Sequence, residues 1–536
     1  MAIWYHNFGN GTTTGYFAVA KWQASHVYAL NTIVRQLATP SVGNERCFKV
    51  TTAGTSGSSE PSWNLNPGNT TTDGTVTWTE VSGTSWLAPF ARATMFTGWA
   101  SGGDTIYTST ASQETQSTNL TIDISASTTA PTYWIFVNNQ NTPPVAADIA
   151  TAGSTVNLAT TGASNITVVS NGGDTVVIGG YFAAGSSTST ANITGGGQDG
   201  TNQPTKLTFL NCKLQLNNSS TSSFIGTQTD QGYNSHGLLE LINTPLIFGS
   251  SSQLFAINHS FIWKNTPSAV QGTIPTILFG QTQNQSPGNY FKIIGNDLSA
   301  VTGTLFHMQQ GIGGGAGGSP GGGTPVLLEH CKLASGVLIA NVNPISMSST
   351  VDLINSDVTA TSYRMERWWP QGTLTTDTVN VLSGGSSDGV TPVSWRVKTT
   401  TNVTPVFPFE CFEIYQWIST TATSRTATIN CITDTAVDAT SLTNADIWIE
   451  AYVMDQTTSP ISTLYTTQRA TPITTATTLT SGPSAGTWTT TGMTTPDPRI
   501  MAVTFTNQIQ GLVKFVVKVA RPSLTTLRVD PYIRIV

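Results

Sequence analysis

Charged residues are scarce in this chain. Asp, Glu, Lys and Arg make up 9% of its 536 residues, whereas an average soluble domain has about 25%. The formal net charge is -6 and no stretch is strongly basic, so we expect no nucleic-acid partner. The chain is not disordered, because 38% of its residues are hydrophobic and 14 are Trp. Thr, Ser, Asn and Gly replace the missing charges, which is typical of all-β proteins with rigid surfaces.

Paired cysteines and long apolar runs are absent too. The five cysteines are an odd number without a Cys-x-x-Cys pair, so we predict no disulfide scaffold, no metal site and no cofactor. No apolar run has the length needed to cross a membrane, and we expect no membrane partner. The first six residues lack the basic and apolar regions of a secretory signal. We therefore expect a protein that is made in a cytoplasm and not exported.

One short pattern recurs through the middle of the chain. Two apolar residues separated by one position are followed by a small polar residue two positions later, and a third apolar residue follows after three more positions. The copies are spaced as solenoid repeats are. They are Leu207/Phe209/Asn211/Leu214, Leu239/Leu241/Asn243/Leu246, Phe261/Trp263/Asn265, Phe291/Ile293/Gly295/Leu298, Val326/Leu328/His330/Leu333 and Val351/Leu353/Asn355/Val358.

This pattern predicts stacked β-strands. Apolar residues at every second position share one face of a strand, and Asn at a bend tolerates the left-handed backbone region. We predict an all-β chain with a central right-handed parallel β-helix at residues 86–405. A small aromatic module would precede it at 1–85, and a β-sandwich or jelly roll would follow at 406–536. Alternating apolar residues also occur in ordinary β-sandwiches, so that alternative stays open at this point.

The N-terminal segment carries a resemblance to known modules. The residues that carry the resemblance lie between 21 and 78, where residues 21–28 and 51–57 resemble small chitin- and cellulose-binding modules and the run ends at residues 73–78. The same segment is similar to one that is common in phage structural proteins. Asn31 stands where the carbohydrate module usually has Gly. Two interpretations are open for its rings: a glycan-binding platform, or the core of a very small domain, which we favour. The rings are Trp22, Tyr28, Trp63 and Trp78.

A second resemblance marks the expected β-helix. Residues 103–107, Gly-Asp-Thr-Ile-Tyr, resemble the opening of many parallel β-helix proteins, and residues 173–177 repeat the same arrangement. Many phage proteins of this fold cut polysaccharides with paired carboxylates on an outer face of the solenoid. The resemblance therefore implies that such a pair should be sought in this chain.

The predicted outward positions hold no such pair. The position after the first apolar residue is occupied in successive copies by Thr208, Glu240, Ile262, Lys292, Leu327 and Asp352. The other outward position holds Leu210, Ile242, Lys264, Ile294, Glu329 and Ile354. Neither row places acids in consecutive coils at the separations that glycosidases use, and the six His show no metal-ligand spacing. We therefore predict a non-enzymatic protein.

The second outward row indicates a contact surface, because four of its members are apolar. Leu210, Ile242, Ile294 and Ile354 would form a stripe along the solenoid, and such a stripe indicates an interface. We predict a homo-oligomer, expected as a trimer with parallel axes.

These observations predict a bacteriophage virion structural protein. Its low charge, its lack of an export signal and the resemblance of residues 21–78 to phage structural proteins support this prediction. The protein would be exposed on the particle as a capsid decoration or cement protein, or as a tail-associated protein, with the major capsid or tail proteins as partners. The alternative is a receptor-binding tailspike that recognises, and in one version cleaves, a host surface polysaccharide. A bacterial adhesin is a third class, which the missing export signal disfavours.

Overall fold

The computed structural model describes residues 2–9, 14–97, 99–125, 130–198, 205–227, 237–256, 260–280, 291–308, 326–334, 337–342 and 351–354, and the strands given below beyond these. Two compact units are present, Met1–Ile274 and Pro275–Val536. The described elements are strands and three short 3-10 helices, Gly15–Ala18, Ala93–Phe96 and Ala146–Asp148. None of the described helices is long and apolar enough to cross a membrane.

The described part of the first unit contains 24 strands. They are β1 (Ile3–His6), β2 (Val27–Tyr28), β3 (Ile33–Arg35), β4 (Cys47–Thr52), β5 (Gly54–Thr55), β6 (Thr70–Asp73), β7 (Val76–Glu80), β8 (Thr105–Ser109), β9 (Glu114–Gln116), β10 (Leu120–Ser125), β11 (Thr132–Val137), β12 (Leu158–Thr160), β13 (Ile166–Asn171), β14 (Thr175–Ile178), β15 (Tyr181–Ser187), β16 (Ile193–Gln198), β17 (Lys206–Leu210), β18 (Lys213–Asn218), β19 (Phe224–Thr227), β20 (Leu238–Ile242), β21 (Leu246–Phe248), β22 (Leu254–Ala256), β23 (Ser260–Lys264) and β24 (Val270–Gly272).

Most of these strands form a parallel β-helix, as predicted. Within the first unit, sheet I has the order β1-β8-β11-β14-β17-β20-β23, sheet II has the order β9-β12-β15-β18-β21-β24, and sheet III has the order β10-β13-β16-β19-β22. The chain visits the three sheets in turn, so each coil contributes one strand to each sheet. Inward-facing side chains stack from coil to coil in sheet I, where Trp134, Val177 and Phe209 are in register and fully buried.

The corner after each of the sheet I strands β14, β17, β20 and β23 is made by one residue with a positive φ. Asn211, Asn243 and Asn265 have φ values of 56°, 46° and 50°, which confirms the predicted column in the first unit. The N–H of Asn211 donates to Ile242 O at 3.0 Å, and Asn243 Nδ2 donates to Asn211 Oδ1 at 2.8 Å. Gly179, with φ of 81°, occupies the same place one coil earlier, and its N–H donates to Leu210 O.

The residue after the corner forms a second set of hydrogen bonds between successive coils, from a backbone N–H to a side-chain oxygen. The N–H of Cys212 donates to Thr244 Oγ1 at 3.2 Å, and the N–H of Thr244 donates to Thr266 Oγ1 at 3.2 Å. Burial raises the pKa of Cys212 to about 12, so the thiol stays protonated and donates to Val177 O at 3.5 Å. Cys212 is therefore a packing residue rather than a redox centre.

In the second unit, 19 further strands are described. They are β25 (Ile277–Gly280), β26 (Phe291–Ile294), β27 (Asp297–Leu298), β28 (Thr304–Met308), β29 (Val326–Glu329), β30 (Lys332–Leu333), β31 (Leu338–Val342), β32 (Val351–Ile354), β33 (Met365–Trp368), β34 (Thr378–Gly384), β35 (Val393–Thr399), β36 (Phe409–Ile418), β37 (Ala422–Asp434), β38 (Ile447–Val453), β39 (Thr478–Ser481), β40 (Pro496–Asn507), β41 (Gly511–Val519), β42 (Thr526–Val529) and β43 (Arg534–Ile535).

The second unit begins with parallel strands and continues with antiparallel ones. Strands β26, β29 and β32 pair in parallel, as do β25, β28 and β31, and β27 with β30. Gly295 and His330 form the corner here, with φ values of 66° and 52°. The N–H of His330 donates to Ile354 O at 2.8 Å. Asn355, the last member of the predicted column, lies outside the described residues.

Antiparallel pairing starts at β33, upstream of the predicted boundary at residue 406. One sheet continues as β33-β36-β41-β38 and the other as β34-β35-β42-β37-β40-β39, with β43 on β37. Phe505 on β40 packs against Phe515 on β41 with ring centroids 5.6 Å apart, so the two sheets face each other as in a sandwich. The jelly-roll topology stays a prediction.

The small module is inserted into the β-helix rather than placed before it. Strand β1 pairs in parallel with β8, with Ile3 opposite Thr105, so residues 3–6 belong to sheet I and not to the predicted 1–85 module. The chain segment that connects β1 to β8 forms the small module. In it, strands β2 and β5 form a two-stranded sheet, and β3-β4-β7-β6 form an antiparallel sheet. The sequence gives no local signal of this pairing, because β1 has only four residues and its partner strand β8 lies about a hundred positions later in the chain.

The corner predicts an ordering of two variants. Ala at position 243 would carry the cost of a left-handed backbone, about 1–2 kcal/mol, and would lose the bond to Asn211, worth about 0.5–1.5 kcal/mol. Gly loses the bond but adopts the backbone freely. We expect Asn243→Ala to lower the melting temperature more than Asn243→Gly in calorimetry. An equal or higher melting temperature for the Ala variant would contradict this account of the corner.

Candidate interaction surfaces

Three of the four rings proposed for a glycan platform lie in the core of the small module. Trp22, Tyr28 and Trp78 are 1%, 5% and 0% exposed. The carboxylate of Asp73 accepts from Trp22 Nε1 at 2.7 Å and from Trp78 Nε1 at 3.3 Å, so the indole N–H groups point inward. Rings held in this way cannot stack on a sugar, and the platform interpretation is corrected for these three residues.

Trp63, the fourth ring, covers the same core from outside. It is half-buried and stacks on Phe48 with ring centroids 4.0 Å apart, and its Nε1 donates to Glu60 Oε1 at 2.9 Å. Asn31 has a φ of 68°, which explains why Asn is accepted where the related modules have Gly. The departure at Asn31 therefore preserves the turn.

The outer side of sheet I carries the predicted apolar stripe. Leu210 and Ile242 are in register on β17 and β20, and both are half-buried. The row extends to Ile178 and Ile135 on the two preceding coils. Sequence reasoning missed these two positions because their coils lack an Asn at the corner. We call Ile135, Ile178, Leu210 and Ile242 the apolar row.

The other two predicted interface residues lie in the second unit. Ile294 and Ile354 are half-buried, and both are in register with Glu329, which stands between them. A carboxylate therefore interrupts the apolar stripe in this unit.

A charged cluster lies at the end of the apolar row on the outer side of sheet I, where Lys264 is in register with Ile242. Glu240 Oε1 is 2.7 Å from Lys264 Nζ, and its Oε2 is 3.5 Å from Lys206 Nζ. Thr208 Oγ1 also donates to Glu240 Oε2 at 3.2 Å. Burial alone would raise the pKa of Glu240, but the hydrogen bond from Lys264 and the two ammonium charges together hold it below its ordinary value. Glu240 therefore stays ionised at neutral pH, where its oxygens accept hydrogen bonds.

Sheet III presents polar rows instead. Asn119 Oδ1 accepts the N–H of Asn165 at 2.9 Å, and Asn165 Oδ1 accepts the N–H of Asn192 at 2.8 Å. Outside this corner, Thr167 and Thr194 lie in register with their Oγ1 atoms 3.1 Å apart. The tripeptide Asn-(Leu/Ile)-Thr at 119, 165 and 192 is the sequence signal that could have identified this side.

No group of three or more His, Cys, Asp or Glu side chains that could hold a metal ion occurs among the residues that the structure describes.

The charged cluster predicts a pH dependence. The pKa of Glu240 is lowered in the folded state, so its ion pairs stabilise the fold above the unfolded value of about 4.3. This stabilisation is lost as the pH falls through the lowered folded-state pKa. We expect Glu240→Gln to melt below the parent protein at pH 7, with a difference that narrows between pH 5 and pH 3.

The matched control is Glu329→Gln. The side chain of Glu329 is 34% exposed and its Oε1 lies 3.9 Å from Nε2 of the more exposed His330, and exposed contacts of this kind contribute little, so only a small change in melting temperature is expected. A deficit for Glu240→Gln that stayed constant down to pH 3 would contradict the assignment.

Comparisons with known proteins find similarity to solved structures but not to a protein family. No protein-family model matches the chain, and no curated protein matches it. Among solved structures, the chain is similar to the enzymatically active domain of tailspike protein 4 of bacteriophage CBA120. The identity is 9% and the TM-score 0.25, and the alignment covers 98% of this chain and 77% of that one.

This neighbour corrects the prediction of a non-enzymatic protein, because it is described as an enzymatically active domain. The two outward rows that hold no carboxylate pair both lie on sheet I. Sheets II and III have outward rows of their own, so the absence of a pair on sheet I does not exclude an enzyme.

Proposed function

We propose that this chain is a virion protein of the tailspike type that recognises a surface polysaccharide of its host. The observation that carries the proposal is the row-like outer surface of the first unit. Side chains in register on successive coils repeat at the strand spacing of about 4.8 Å. They present mostly hydroxyl, amide, aromatic and aliphatic groups, and few charges. A repeating, largely uncharged surface suits a repeating polymer rich in hydroxyl groups.

Two resemblances support the same proposal. Residues 21–78 are similar to a segment of phage structural proteins, and residues 103–107 resemble the opening of parallel β-helix proteins. In the structure, Asp104 of this opening accepts hydrogen bonds from Ala2 N and from Trp4 Nε1 on β1. The motif therefore fastens the first strand of sheet I to the second.

The apolar row supports an oligomeric assembly as part of this proposal. Ile178, Leu210 and Ile242 project side by side from a rigid sheet, and covering such a row with the same row of another copy is favourable. Closed cyclic symmetry supplies that cover, and we propose a homotrimer.

Labelling of intact particles tests the location and the role. We expect antibody against this protein to mark the tail in electron micrographs, and the purified protein to block adsorption of particles to host cells. Release of reducing ends from host polysaccharide, followed in the same samples, reports cleavage. Label on the capsid without any effect on adsorption would favour a decoration protein, and absence from particles would overturn the proposal.

A charge in the apolar row tests the assembly. We expect Leu210→Glu to convert the oligomer to monomer at micromolar concentration, because an unpaired carboxylate would be buried in the contact. Thr167→Glu, on the polar side of sheet III, is the matched control and should leave the mass unchanged in light scattering. A parent protein that is a stable monomer at this concentration would contradict the proposed contact.

A further inference from the structure

Aromatic rings gather where sheet I begins. Tyr5 and Tyr107 are in register on β1 and β8, with ring centroids 6.1 Å apart. Trp86, from the connection that leads back from the small module, packs edge-on against Tyr5 at 4.9 Å. Tyr5 is buried, whereas Trp86 and Tyr107 remain partly exposed. Two rings are thus accessible above a third.

Tyr133 adds another ring from the next coil. It is opposite Thr105, and Ile135 is opposite Tyr107, so Tyr133 stands diagonal to Tyr107 on the same outer side. Diagonal neighbours in a sheet lie about 7–8 Å apart, within the reach of aromatic side chains. Tyr133 is 37% exposed. A ligand on this side would therefore meet Trp86, Tyr107 and Tyr133.

Amide side chains border these rings. Trp86 Nε1 donates to Asn141 O at 2.9 Å, and Gln140 Nε2 donates to Ser109 Oγ at 3.3 Å at the end of β8. Gln140 and Asn141 are exposed. Their side chains offer both donors and acceptors, as sugar hydroxyl groups do.

The loop that carries Gln140 and Asn141 is held in place by the carboxylate of Asp148. Asp148 accepts from Asn139 Nδ2 at 3.0 Å, from Asn141 Nδ2 at 2.8 Å and from Val145 N at 2.8 Å. These hydrogen bonds, with that of Val145 first, hold the pKa of Asp148 below its usual range. The loop is therefore ordered before any ligand arrives, which reduces the entropy that binding must overcome.

We propose that this surface binds a neutral polysaccharide. We call it the ring-and-amide surface, and it consists of Trp86, Tyr107, Tyr133, Gln140 and Asn141. The inference rests on the proposed function and adds the site and the class of sugar. The rings cover the apolar C–H faces of sugar units, and the amides bind their hydroxyl groups. No member of the surface is charged. The charged cluster at Glu240 is three strand steps from Tyr133, about 14 Å along the sheet.

The test uses the full-length protein on an array of neutral and acidic bacterial polysaccharides, followed by titration of each hit. We expect neutral glycans to bind, Tyr133→Ala to weaken binding about tenfold, and Tyr133→Phe to retain it, by analogy with stacking of bases on aromatic side chains. Gln140→Ala should weaken binding as well. A Lys206→Gln/Lys264→Gln variant should bind as the parent does. Melting curves establish that each variant is folded.

The outcomes separate the site from the function. Neutral glycans that bind equally well to Tyr133→Ala and Gln140→Ala would overturn the site and leave the proposed function in place. Binding confined to acidic glycans, and lost in the double Lys variant, would overturn the neutral class and move the site to the Glu240 cluster. Failure of the parent protein to bind any glycan on the array would overturn the proposed function together with this inference.

Discussion

Hydrogen bonding between successive coils is the constraint on which the rest of the first unit depends. In a parallel sheet each buried peptide group must pair with the coil before it and the coil after it, so coils can differ in length only in their connections. The corners after β14, β17, β20 and β23 must also turn the chain without breaking this register. The positive φ values of Gly179, Asn211, Asn243 and Asn265 meet this requirement, because Gly and Asn enter the left-handed region at low cost. The amide pair of Asn211 and Asn243 then links one corner to the next.

The same register determines the outer surface. If Val177 and Phe209 stack inside the coil, then Ile178 and Leu210, one position later, must lie side by side outside. A surface of this kind consists of rows, and each row has the chemistry of the residues that share one position in the repeat. Sheet I therefore carries an apolar row and sheet III carries Asn and Thr rows. Interfaces and binding surfaces follow from the choice of one residue type per position, repeated over several coils.

The repeat in the sequence allowed the corner to be predicted from Asn211 onwards, including Gly295 and His330, whereas the corner at Gly179 was missed although residues 173–177 had marked the strand before it as part of the β-helix. It also missed β1, because pairing across the inserted module leaves no local pattern in residues 3–6. Composition could not show whether the rings of the small module form a glycan platform or a core, since both need aromatic residues. The structure shows a core, because the buried Asp73 accepts hydrogen bonds from the indole N–H groups of Trp22 and Trp78. The surface at Trp86 and Tyr133 was not predicted because its members come from three separate segments.

The scarcity of charge gives the buried ion pairs a particular role. Arg92 Nε is 2.5 Å from Glu45 of the small module, and its Nη1 is 3.8 Å from Glu114 on β9. His6 Nε2 on β1 lies 3.6 Å from the same Glu114. Both carboxylates are buried, and a buried charge is tolerated only when its partner is held in place. The module is therefore fixed against the first coil rather than tethered to it. Since the connection that carries Trp86 runs from this module back to β8, the ion pairs of Arg92 also restrict this connection and, with it, the ring that packs against Tyr5.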